Sequence, residues 1–155
     1  MKIKSVVIGI LIIVAVCLIT TGCGFYNLVD STEFKEHFAA LGYTTSDTEK
    51  GLYEADSYLV ATKSDMPFKI EYYEFKDEVE AKKAYVKFTD DSSIVNYISA
   101  DTKNLETKGA VFTKFVAESE EDYIVISRVK NTIIFVDGTQ DYKDEISTLL
   151  EDIQY

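Results

Sequence analysis

Beyond residue 30 the apolar residues recur first with a helical period and then with a strand period. Phe34, Phe38 and Leu41 stand at i, i+4 and i+7, the spacing of one buried helix face. Asp30 followed by Glu33 has the form of a capping box, and Gly42 supplies a stop, so a first helix is predicted between them. Thr44 to Gly51 is polar and reads as a loop. Tyr53 to Thr62 reads as a strand, and Phe68 to Tyr72 alternates with period two, so a hairpin joins them. The turn between these strands holds the only proline, Pro67, whose fixed φ suits a turn.

Asp77 and Glu80 repeat the cap signature, and Val79, Ala81, Ala84, Tyr85 and Phe88 continue as the stripe of a helix that ends near Thr89. Between Asp90 and Thr107 the pattern weakens, with Ile94, Tyr97 and Ile98 suggesting a short helix. Three strands follow, over Ala110 to Glu118, Tyr123 to Val129 and Thr132 to Asp137. The last two are joined by Lys130-Asn131, a two-residue turn in which Asn131 is expected to take a positive φ. Asp141 to Ile153 closes the chain as an amphipathic helix carrying Tyr142, Ile146, Leu149, Leu150 and Ile153. The order α-β-β-α-β-β-β-α predicts an α+β domain: an antiparallel sheet of about five strands with helices packed mainly on one face.

Residues 1–29 follow a different pattern. Lys2 and Lys4 precede an uninterrupted apolar run from Val6 to Ile19, the charged start and hydrophobic region of an export signal. Ile19-Thr20-Thr21-Gly22-Cys23 resembles the lipobox of bacterial lipoproteins, Gram-positive type, with Thr20 where that family usually carries Leu. The resemblance implies cleavage after Gly22 and a diacylglyceryl group on Cys23. It divides the chain into a signal peptide (1–22), a lipidated cysteine with a short tether (23–29) and one extracytoplasmic domain (30–155). The implied location is the outer face of the cell membrane, with the lipid as anchor; two acyl chains suffice for stable attachment, where one gives only marginal binding. The competing reading is a retained transmembrane helix, since no charge falls between Lys4 and Asp30, although a span needs about 20 apolar residues. Both readings put the domain outside, because Lys2 and Lys4 hold the N-terminus in the cytoplasm.

The formal charge is −11, and removal of Lys2 and Lys4 with the signal leaves −13. Such a surface repels nucleic acid, whose binding is dominated by basic contacts to phosphate. The two cysteines, Cys17 and Cys23, lie in the signal and at the lipid position, which leaves no thiol for a disulfide or a nucleophile. With His37 as the only histidine, no Ser-His-Asp or Cys-His arrangement can be assigned, and His/Cys zinc sites lack ligands. Acids cluster at Asp90-Asp91, around Glu118 to Asp122 and from Asp137 to Asp141. None has the spacing of a calcium loop, and they read as solvated turns. No metal and no cofactor are expected.

If Lys130-Asn131 is a two-residue turn, Ile124, Ile126, Arg128, Ile133 and Phe135 share one face of the last hairpin, and Tyr123, Val125, Ser127, Val129, Thr132, Ile134 and Val136 share the other. Both faces are apolar. Either both are covered, or the face with Arg128, the only arginine, is a recognition surface for a protein or peptide. The functional expectation is a membrane-anchored, non-catalytic binding module for a protein, peptide or envelope component. The alternatives are a small envelope hydrolase working through acidic residues, or an immunity or exclusion lipoprotein.

Overall fold

The computed structural model of the chain describes residues 29–48, 53–90 and 103–155. The expected signal, Cys23 and the expected helix at Ile94 to Ile98 lie outside them. The first helix, α1 (Ser31–Ala40), starts as its sequence requires: Asp30 accepts from the backbone N–H of Thr32 and Glu33, and Glu33 reaches back to the Asp30 N–H. It stops at Gly42, whose φ of +81° is open to glycine and costly for other residues. There the N–H of Tyr43 donates to the Phe38 carbonyl and that of Gly42 to Ala39. The Tyr43 ring closes this cap edge-on to Phe38, 5.4 Å away.

Three strands follow: β1 (Thr44–Asp47), β2 (Ser57–Thr62) and β3 (Lys69–Glu74). The second helix, α2 (Glu78–Asp90), is capped by Asp77, which accepts from Val79 and Glu80. The chain then runs through β4 (Lys103–Lys108), β5 (Phe112–Glu118), β6 (Asp122–Val129) and β7 (Thr132–Thr139), a 3₁₀ turn over Gln140–Tyr142, and α3 (Lys143–Asp152). The sheet has seven strands in the order β1-β2-β3-β7-β6-β5-β4, every pair antiparallel. The α+β class agrees with the sequence; the strand count and element order do not. Both additional strands are edges. The residues of β1 and β4 are mostly exposed and need only the backbone pairing of an edge, so no apolar alternation announces them.

The central strands are covered on both faces, which corrects the expectation of helices mainly on one. On the first face Leu59, Ile70, Tyr72, Val125, Ile134 and Val136 form one core with Phe34 and Phe38 of α1 and Ile146, Leu149 and Leu150 of α3. Burial of each such side chain stabilises the fold by about 2 kcal/mol. Gly138 lets α3 approach β7 closely, since a Cβ there would meet Ile146 Cδ1 at 2.5 Å. On the second face Tyr73, Ile124, Ile126 and Ile133 form a separate core with Ala81, Ala84, Tyr85 and Phe88 of α2.

The β6–β7 register is the expected one, with Val129 opposite Thr132 and Ile126 opposite Phe135. Its turn differs: Lys130, not Asn131, takes the positive φ, +51°. Asn131 is committed elsewhere. Its side-chain amide donates to the Phe75 carbonyl and its own carbonyl accepts from the Phe75 N–H, clamping the hairpin tip to the end of β3.

Ile133 lies wholly inside the second core. Ile133→Lys puts an unpaired charge there and is expected to cost about 3 to 5 kcal/mol. Urea unfolding checks this, and an unshifted midpoint would contradict the placement of α2. As a control, Leu105→Ser on the exposed edge strand β4 should stay within about 0.5 kcal/mol of the parent.

Candidate functional site

The five residues singled out on the hairpin do not form an open surface. Ile124, Ile126 and Ile133 are buried, and Phe135 is half-buried at 5.9 Å from the Phe88 ring. Arg128, 2% exposed, is spent internally. Its guanidinium donates to the Lys130 carbonyl at 2.9 Å and to Thr113 Oγ1 at 3.2 Å, and it lies 3.5 Å from Glu78 at the start of α2. A planar fork with several donors suits this position as a point charge would not. The alternation that made the hairpin look sticky belongs to a central strand pair buried twice.

The strongest polar cluster was not marked by the sequence. Glu71 faces the second side of the central strand β3 and is 6% exposed. One carboxylate oxygen accepts from the hydroxyls of Tyr58 at 2.7 Å and Tyr73 at 2.5 Å, and the other pairs with Lys69 at 2.7 Å. The register explains the convergence: Tyr58 is opposite Tyr73 on β2, and Lys69, Glu71 and Tyr73 alternate along one face of β3. Tyr58 and Tyr73 are stacked, with centroids 4.5 Å apart. Burial, and then the bond to Glu71, pushes both phenols up, while the same carboxylate raises the Lys69 ammonium. A buried carboxylate with three donors is held in place.

Beside this network lies a cavity of about 390 Å³ between α2 and the segment that leads into β2. Its floor is aromatic: Tyr53 stands 4.0 Å from Phe88, which meets Tyr73 at 5.0 Å, and Phe75 is buried beneath. One wall carries Lys83 and Lys87 of α2, and the other Glu54 and Asp56, with Lys76 at the end. Ala55 anchors the second wall in the core, and Glu54 holds a φ of +57°, a conformation that costs a non-glycine residue of order 1 kcal/mol. Asp77 is used as the helix cap and Glu80 pairs with Lys83 at 2.8 Å. Among the described residues, no hydrogen bond or ion pair engages the side chains of Glu54, Asp56, Lys76 or Lys87.

A second cavity, about 330 Å³, lies against the opposite side of the fold between α1 and the end of α3. It is lined by His37, whose ring stands edge-on to Phe38 and whose buried Nε2 has no hydrogen-bond partner among the described residues, together with Val29, Glu33 and Ile153. Among the described residues no group of three or more His, Cys, Asp or Glu side chains is placed to hold a metal ion, and no helix is long and apolar enough to cross a membrane.

Comparison of the chain with protein-family models, with curated proteins and with solved structures gives no match.

Two measurements test the polar core. Glu71→Ala leaves two phenols and an ammonium without their acceptor, and a loss of about 2 to 4 kcal/mol is expected in urea unfolding. Burial pushes Tyr72, Tyr73 and Tyr85 far above the ordinary phenol range and Tyr43 up to about 12. These groups are neutral in the fold and release protons near pH 10 only when unfolded. The stability they carry is therefore complete below about pH 10 and lost as pH rises. Phenolate absorbance should climb first through the exposed tyrosines, then jump together with the loss of far-ultraviolet circular dichroism.

Proposed function

We propose that the chain is a membrane-anchored extracytoplasmic lipoprotein whose domain is a binding module, with the groove beside α2 as its recognition site. The observation that carries this reading is the state of the acidic groups. The most buried carboxylate, Glu71, is saturated by Tyr58, Tyr73 and Lys69, whereas Glu54, Asp56, Lys76 and Lys87, whose side chains have no partner among the described residues, line a concave groove with Tyr53 and Phe75. Hydrolysis by paired acids needs a carboxyl in a desolvated setting that can hold a proton to give; the buried Glu71 is saturated, and Glu54 and Asp56 are exposed to solvent. Recognition needs a concavity with a few unspent polar groups over an apolar floor.

The position of the groove suits an anchored protein. The tether enters at Val29, whose carbonyl accepts from the buried Tyr72 hydroxyl at 2.9 Å, on the face covered by α1 and α3. The groove belongs to the other face, beneath α2. A lipid on Cys23 and six residues of tether, at most about 20 Å long, would bring the first face to the headgroups and leave α2 turned outward. The surface charge of −13 after cleavage makes anionic lipid repulsive, so attachment rests on the acyl chains.

Mass spectrometry of the N-terminal peptide from membranes should show diacylglyceryl-modified Cys23, and Cys23→Ser should leave the chain unlipidated with residues 1–22 uncut. Residues 1–22 intact on the mature wild-type protein would replace lipidation by a spanning helix. Cross-linking on intact cells tests binding: an adduct with the anchored chain should be lost when excess soluble domain competes. Turnover of envelope glycan or peptide that disappears in Glu54→Gln or Asp56→Asn, at an unchanged melting temperature, would favour the hydrolase instead.

A further inference from the structure

The groove has two carboxylates and two ammonium groups without a partner among the described residues, in a chain of strongly acidic composition. We infer that its ligand is a small zwitterion, a short peptide with a free ammonium and a free carboxylate, a statement that rests on the binding reading above and narrows it. The ligand ammonium meets Glu54 and Asp56; its carboxylate meets Lys87 and Lys76; its apolar part lies on Tyr53 and Phe75.

Charge decides among ligand classes. An anion would use the lysines but face Glu54, Asp56 and the negative field of the whole domain, and like-charge juxtaposition is strongly disfavoured. A cation would use the acids but strand Lys76 and Lys87 beside it. Only a ligand with both charges engages all four groups and leaves none desolvated without a counter-charge. Volume sets the size. At about 390 Å³ the groove is at the small end of ligand sites, which run from about 300 to 1,000 Å³, the scale of a di- or tripeptide rather than a folded partner.

Backbone conformation points the same way. The left-handed φ at Glu54 is not relieved by any hydrogen bond of its side chain among the described residues. Strain of this kind at a non-glycine residue concentrates at binding and switch sites. Here it turns Glu54 toward the groove while its neighbour Ala55 stays in the core.

The test is isothermal titration of the full chain in lipid nanodiscs with trialanine, alongside its N-acetylated and C-amidated forms. Saturable heat is expected with free trialanine, with at least about tenfold weaker binding when either end is blocked, since each lost charge pair is worth about 1.4 kcal/mol or more. Lys87→Glu and Asp56→Lys, both at the groove and away from either core, should each weaken free trialanine by a similar factor while keeping the parent melting temperature. No saturable heat, or equal affinity for the three peptides, would overturn the inference. If the competable adduct on intact cells persists while trialanine gives no heat, the zwitterion inference fails and the binding module stands. If both are absent, both fail.

Discussion

The constraint on which the structure depends is that β3, β7 and β6 are apolar on both sides. An antiparallel sheet can leave one face to water, but these strands cannot. Ile134, Val136 and Val125 need α1 and α3 above them; Ile133, Ile126 and Tyr73 need α2 below. The two cores are separate clusters that share only the sheet. Each helix is placed by the strand residues it must shield, and the groove lies between α2 and the segment around Tyr53.

Burying both faces also forces charged residues inward, and the protein resolves each with its own partners. Glu71, in the middle of β3, gains two phenols and Lys69. Arg128, in β6, gains a carbonyl, a hydroxyl and the more distant Glu78. Since removing one partner from such a group costs more than the pair contributes, these networks fix register and helix position more than they add stability. They also fasten the aromatic floor: Tyr58 and Tyr73 hold Glu71 by their hydroxyls and stack through their rings, and Tyr73 meets Phe88 of α2.

The ends of the described fold are fastened on the opposite face from the groove. Tyr72 holds Val29. The Tyr155 hydroxyl meets that of Thr132, and Lys114 Nζ donates to the Tyr155 carbonyl at 3.2 Å. Val29 and the groove are thereby separated by the thickness of the sheet.

The sequence by itself determined the elements whose signal is local. The Asp30 and Asp77 caps, the Gly42 stop, the stripes of α1, α2 and α3 apart from Leu41 and Val79, which are exposed, the β2–β3 hairpin and the pairing of Val129 with Thr132 depend on spacing within a few residues, and spacing is printed in the chain. It also showed that the last hairpin is apolar on both faces, but whether Ile133 meets solvent or a helix depends on where α2 lands. Tertiary structure decided that, and it decided the rest that is non-local. β1 and β4 carry no alternation because an edge strand needs only a backbone partner. Asn131 yields the positive φ to Lys130 because its amide is claimed by Phe75, far away in sequence. Glu71 reads as one acid among many until the register brings Tyr58 to its side. The groove joins Glu54 and Asp56 to Lys76 and Lys87 across a helix and a loop, and no periodicity in a sequence records which surface charges the fold leaves without a partner.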